Sequence, residues 1–282
     1  MSAAPTAARQ PATAPAPAPP ASGPAAATGD RDRAERLLPL AGVVAVLVLW
    51  EVVAHLRFLG VFTEYISDPI GAAAAGWDMT VSGDLWTNAQ GSLVAFAIGF
   101  ALSAGVGIPI GMLMGWNSTV RQLLEPPIAA LNATPRLALL PVIVVWLGIG
   151  VKSTVVVVFL DAVIPVIING MAGIRDVDVK LVQVARSFGA GRRELFQKIL
   201  LPASMPAIAT GVRLGVSRGV LGVIVAQLYV STVGIGHLIS TYGEQFQVDQ
   251  VVFLVVLVAV FAYAVNVLLR RFERRFDSWR AA

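Results

Sequence analysis

No cysteine occurs in the 282 residues, which excludes a disulfide framework, a thiolate nucleophile and a thiolate metal ligand. Histidine is nearly as scarce: His55 and His237 are the only two and lie far apart in sequence, too few ligands for a zinc centre. Charge is short as well. Asp, Glu, Lys and Arg make up 13% of the chain against 56% apolar residues, about half the charged share of a soluble domain. That composition points to a polytopic membrane protein. The formal net charge of +4 does not gather into a basic patch with interleaved aromatics, which argues against a nucleic-acid partner. Residues 1–34 begin with an Ala/Pro-rich run almost devoid of large apolar side chains. Such a segment cannot offset the entropy of ordering, so it is expected to be a disordered tail. Its apolar residues are mostly alanines broken by prolines, unlike a signal peptide, so the first insertion signal is expected in the segment that follows.

What the chain does have is long apolar runs. About 20 such residues cross a hydrocarbon core of about 30 Å, and six stretches qualify: Leu37–Leu56, Ser92–Gly115, Leu123–Ile149, Ser153–Ile174, Ile208–Tyr229 and Val251–Leu269. The sequence therefore predicts an all-α polytopic membrane protein of about six transmembrane helices, with a membrane domain over 35–270 and a basic tail over 271–282. The third stretch holds Pro126, Pro127, Pro135 and Pro141 and is expected to be kinked or partly unwound, with its freed backbone groups facing protein or water. Six spans put both termini on one side. Making that side cytoplasmic collects Arg9, Arg31, Arg33, Arg36, Arg121, Arg175, Lys180, Arg186, Arg192, Arg193, Lys198, Arg270, Arg271, Arg274, Arg275 and Arg280 there, and leaves Arg57 and Lys152 outside. Two small-residue stripes recur every fourth position: Gly99, Ser103, Gly107, Gly111, Gly115, and Gly211, Gly215, Gly219. Each makes a face for close helix approach, within one subunit or between two.

The longest internal loop, 175–203, is expected on the cytoplasmic side. Its periodicity predicts a short amphipathic helix over Asp178–Phe188 with Leu181, Val182, Ala185 and Phe188 on one side. At about 16 Å it is too short to cross a bilayer. Gly189 is placed to end it in a left-handed conformation. A second helix is expected from Arg192, with Leu195 and Ile199 on one face and Pro202 and Pro206 stopping it before the fifth span. Such a knob suits either a membrane-surface amphipath meeting anionic lipid or a docking element for a protein.

The run Gln183, Val184, Ala185, three residues, Gly189, nine residues, Ile199, Leu200, Leu201, Pro202 resembles the "EAA" loop, E-A-A-x3-G-x9-I-x-L-P, of permease subunits in bacterial ATP-binding-cassette importers. Gln183 stands where that family has Glu, and Val184 where it has its first Ala. The resemblance extends from about Ile66 to Leu269. It includes "LLEPPIAALNATPRLALLPVIVVWLGIG", "IPVIINGMAGI" and "STVGIGHLI", which look like the subgroup importing nitrate, sulfonates, taurine and related small organic anions. The resemblance implies a type I importer permease fold in the bacterial plasma membrane. It also implies a coupling helix seated in a groove of a separate ATPase, with Gln183, Ala185, Arg186, Gly189, Arg192, Arg193, Glu194, Ile199, Leu201 and Pro202 as the coupling residues. The implied partners are ATPase subunits that bind the ATP and Mg, an external solute-binding protein and a second permease copy, this chain holding no cofactor of its own.

The chain has no phosphate loop to drive transport itself. "GIGVKST", Gly148–Thr154, has Val151 between Gly150 and Lys152 and does not fit G-x4-G-K-[ST]. No span carries HExxH, a paired-carboxylate site or a Ser-His arrangement, so an enzyme is not expected. Polar residues at membrane depth remain as functional candidates. Asn132 and Arg136 lie in the broken third span, Asp161 in the fourth, and Arg218 deep in the fifth, where Arg213 is near enough to the end to snorkel. Glu51 and His55 are spaced to bond each other, while Gln227 and Asn266 suit interhelical donors. Asp161 and Arg136 lie about 14 and 20 Å from the external ends of their helices, so Asp161 is expected to pair with Arg136 or Arg218. The pair either neutralises two costly charges or leaves one arginine facing a translocation path, Asn132, Arg136, Asp161 and Arg218, where it favours an anion such as a sulfonate, taurine, nitrate or a carboxylate. The competing expectation is a secondary transporter or ion channel using Asp161 with no ATPase partner.

Overall fold

The computed structural model describes residues 41–42, 44–46, 48–54 and 67–273. The tail expected over 1–34, His55 and most of the basic tail lie outside them. So does part of the first expected span, whose described residues belong to a short apolar helix, Val44–Ala54. Residues 67–273 are all-α, with no strand among the described residues.

Helix α1, Pro69–Ser82, starts where the Asp68 carboxylate accepts the Gly71 N–H and Pro69 supplies a helical φ in the first turn. It is too short to span a bilayer and was not anticipated from the hydrophobic runs. It packs on the last helix, where a Cβ at Gly76 would collide with the Phe253 ring. Helix α2, Asp84–Trp116, is followed by α3, Ser118–Ala133, which Asn117 caps by accepting the Thr119 N–H at 2.9 Å. A 3-10 turn, Arg136–Leu139, leads into α4, Leu140–Leu147, and the α3 and α4 segments meet at 94°. The third span is therefore broken as expected, but at one proline only. Pro126 and Pro127 lie inside α3 and Pro141 in the first turn of α4, where their fixed φ is helical. The break falls at Thr134 (ψ 127°) before Pro135, the extended conformation that proline favours in its predecessor.

Helices α5, Val151–Arg175, and α6, Val179–Ser187, come next. Helix α7 runs from Arg192 to Val230, 39 residues, and is followed by α8, Ile235–Glu244, and α9, Val248–Glu273. The expected stop at Pro202 and Pro206 does not occur. Residues Leu195–Leu200 are π-helical, with the Leu201 N–H donating to the Phe196 carbonyl five residues back. This wider turn re-routes the backbone bonds around the donor that Pro202 lacks, Pro206 lies within the helix beyond it, and the chain stays helical into the fifth span. Helices α2, α5, α7 and α9 are each long and apolar enough to cross a membrane, and the α3–α4 pair makes a fifth if counted as one span.

The core is a sandwich with α5 in the middle. More than half of its residues are buried. The stripe on α2 faces it on one side: a Cβ at Gly111 would lie 2.5 Å from the Ile167 carbonyl, and Ser103 donates across to the Phe159 carbonyl at 3.0 Å. The stripe on α7 faces it on the other, with the Gly215 position 3.1 Å from the Ala162 carbonyl. Both stripes thus serve packing within one chain.

Candidate functional site

The break before Pro135 delivers Arg136 to the level of α5. There its Nε lies 2.9 Å from Asp161 Oδ1, with the two side chains 21% and 15% exposed. Between the two pairings open to Asp161, the structure takes Arg136. Gly222 on α7 makes room for the carboxylate, since a Cβ there would sit 2.5 Å from Asp161 Oδ2. Arg218, one turn before Gly222, makes no ion pair among the described residues. Asn132, Arg136, Asp161 and Arg218, the four deep residues singled out from sequence, line one cavity of about 160 Å³ together with Asn169. Arg136, Asp161 and Arg218 also line a second, of about 150 Å³, walled by Leu140, Val157 and Leu221. Two guanidinium groups against one carboxylate leave this region with an excess positive charge in a medium where charge is expensive.

The loop 175–203 has the hinged shape its sequence predicts. Asp178 caps α6 by accepting the Lys180 N–H at 2.8 Å. The helix ends in a two-bond turn: Gly189 N–H donates to the Arg186 carbonyl (2.9 Å), and Ala190 N–H to the Ala185 carbonyl (3.0 Å). Gly189 at φ +80° fills the left-handed position this motif requires. At the start of α7 the Glu194 carboxylate accepts from Lys198 Nζ (3.0 Å) and from Gly191 N–H (3.3 Å), and these bonds hold its pKa below the usual carboxylate range. The apolar face differs from the expected one. Val182 and Ala185 pack inward with Leu195, Ile199 and Phe196 against Trp116, but Leu181, Val184 and Phe188 point outward, Phe188 being 87% exposed. The short α6 contacts the core along a narrow stripe only, so a residue one position off that stripe, such as Leu181, faces out. Gln183, Arg186, Arg192 and Arg193 are also exposed, whereas Leu201 and Pro202 are half-buried within α7.

Residues 107–278 match the family model "Binding-protein-dependent transport system inner membrane component". The chain belongs to this family. Among its relatives is SsuC of Bacillus subtilis (strain 168), whose name assigns it to aliphatic sulfonates transport; it is 32% identical over 83% of this chain and 84% of its own. The taurine transport system permease protein TauC of Escherichia coli (strain K12) is 29% identical over 86% and 89%. The solved MetNI methionine ABC transporter, in an inward-facing conformation, shares the fold with a TM-score of 0.61, 17% identity and coverage of 70% of this chain and 95% of its own.

In this inner-membrane permease Gln227, Asn266 and Arg213 all bond within the chain. Gln227 was expected as a donor. It instead accepts, from Ser92 Oγ at 2.7 Å and Gly236 N–H at 3.3 Å. Asn88 Oδ1 accepts the Gly234 N–H (2.7 Å) and Ser92 Oγ the Ile235 N–H (2.9 Å). Three side chains thus satisfy the orphan donors at the start of α8. Asn266 does donate, to Ser217 Oγ at 2.9 Å. Arg213 does not snorkel free: its Nε lies 2.8 Å from Glu273 Oε2, and Thr210 bonds the same carboxylate. Glu273 was not a sequence candidate, because only the register of α9 against α7 brings it to Arg213. "GIGVKST" is the Gly148–Gly150 turn between α4 and α5 followed by the first turn of α5, and its Gly150 N–H donates to the Val230 carbonyl at 2.7 Å. Among the described residues no cluster of three metal-ligating side chains occurs.

Proposed function

We propose that this permease forms the translocation path of an ATP-driven importer for a small anion of the sulfonate or taurine kind. The loop 175–203 then couples that path to a separate ATPase that binds ATP and Mg, and an external solute-binding protein delivers the substrate. In this reading the chain crosses the membrane with both termini in the cytoplasm. It works as a homodimer whose second copy or water-filled path covers the face of α7 that carries Arg218.

Arg218 is the observation that carries the anion assignment. It lines the charged cavity, and the only carboxylate lining that cavity, Asp161, is already held by Arg136. An exposed arginine at membrane depth must face water or protein, and in a path it stabilises a passing anion. The coupling assignment is supported by the left-handed Gly189 turn, which presents Phe188 and the arginines outward from a loop with the EAA spacing. The rival reading, a secondary transporter using Asp161, is disfavoured by the Arg136 contact, which occupies that carboxylate in an ion pair. Reconstitution decides between them. Proteoliposomes holding the permease, its ATPase and its solute-binding protein should take up a radiolabelled alkanesulfonate or taurine only with internal ATP, and Arg218→Gln should cut uptake at least about tenfold, the scale of one lost charged contact. Uptake by the permease alone would overturn the importer reading. Equal uptake by Arg218→Gln would overturn the role of Arg218.

A further inference from the structure

Between the Gly189 turn and the start of α7 lies a cavity of about 440 Å³ lined by Trp116, Arg186, Gly189, Ala190, Arg192 and Leu195. Two of these residues are cationic and none is acidic. Neither Arg186 nor Arg192 makes an ion pair among the described residues. The nearest acid in sequence, Glu194, is occupied by Lys198 and the Gly191 N–H. Arg192 is also held in place: its guanidinium lies over the Trp116 ring, 5.7 Å from the centroid, and Trp116 is fixed edge-on to Phe196 at 5.5 Å. A cation stacked on an indole loses little further freedom when it binds an anion, so the wall of this cavity is organised before any partner arrives. Phe188 projects from the turn beside it, 87% exposed.

We infer that this cavity receives an acidic side chain, Asp or Glu, of the ATPase subunit, gripped by Arg186 and Arg192 while Phe188 enters an apolar pocket next to it. The inference rests on the reading that loop 175–203 meets an ATPase, and adds to it the sign of the contact. At the position of the family's glutamate this chain has the neutral Gln183, and the charge offered to the partner is positive instead. Charge complementarity selects the occupant. A wholly apolar partner would leave two guanidinium groups desolvated and unpaired, whereas a carboxylate accepts from both forks at once.

The test titrates full-length permease in neutral-lipid nanodiscs with the ATPase subunit of the same transporter at rising salt. Wild-type affinity should fall as salt rises. Arg186→Gln with Arg192→Gln should bind at least about tenfold more weakly at low salt and lose most of that salt dependence, while the paired Lys substitutions retain part of it. Phe188→Ala should weaken binding with the salt slope unchanged. Unchanged affinity and slope in the Gln double variant, or a wild-type affinity indifferent to salt, would overturn the acidic contact while leaving the coupling loop standing. Absence of ATPase binding by the wild type would remove the functional reading itself. A third arm uses phosphatidylglycerol nanodiscs without ATPase: if the Gln substitutions change only protease protection of the loop there, the cations serve lipid and the inference is wrong.

Discussion

Asp161 and Arg136 meet because a proline breaks one helix and a glycine opens another, and neither residue is stable at that depth alone. Removing one partner of such a pair strands the other charge. Asp161→Asn should therefore destabilise the chain by about 2–4 kcal/mol in thermal or denaturant unfolding, and adding Arg136→Gln should restore part of it while Arg218→Gln should not. Equal rescue by either arginine would mean that the carboxylate is shared. Gly189 acts by conformation alone, since nothing lies within 4 Å of a Cβ built there. Gly189→Val should oppose the left-handed turn by about 1–2 kcal/mol. Expression and insertion should remain normal, with weakened ATPase binding and stimulated hydrolysis as the readout. Glu194 gives a pH signature. Its folded-state pKa lies below the usual value, so its contribution is present above the ordinary carboxylate range and lost as pH falls through the depressed folded value. Amide exchange near residue 191 should accelerate over that acid window in wild type and show no such transition in Glu194→Gln. These residues were legible in the sequence because each is costly where it sits: a charge in lipid, a glycine between two helices. Glu273 was not, since nothing local to it announces that α9 brings it to Arg213.

Helices were legible wherever a single rule dominated. The four-residue stripes on α2 and α7 gave the faces that clasp α5, and the structure assigns both to one chain because the backbone carbonyls of α5 stand where Cβ atoms would go. A side chain on the stripe should separate the helices: Gly111→Leu is expected to cost about 3 kcal/mol or more in unfolding experiments, against little for Gly105→Leu, which meets open space. Proline was read too strictly. A proline ends a helix only if the lost donor cannot be replaced. Leu195–Leu200 replace it by widening the turn, and Pro126, Pro127 and Pro141 fit helical φ without ending anything. The apolar face of α6 was misjudged for a related reason. Periodicity records which residues share a side, whereas a nine-residue helix lying on one narrow contact buries only part of it.

For the whole molecule, the lack of cysteine becomes an experimental advantage, because a single introduced thiol has no background. In the proposed orientation Thr232→Cys, in the exposed turn before α8, should react with an impermeant thiol reagent applied to spheroplasts, and Ser187→Cys, in the basic loop, only after permeabilisation. The opposite pattern would invert the topology. The continuous course of α7 links the loop to the charged cavity. The helix begins beside the arginine cavity of the loop and stays helical, through the π-helical Leu195–Leu200, as far as Arg218, about 39 Å along its axis at 1.5 Å per residue. A rod of that length tilting by about 10° about the Arg218 level carries its Arg192 end through about 7 Å. If loop 175–203 meets an ATPase as proposed, push and response would be one displacement with the small-residue face of α7 as fulcrum, and the stroke at the loop would set how far the residues beyond Arg218 swing the other way.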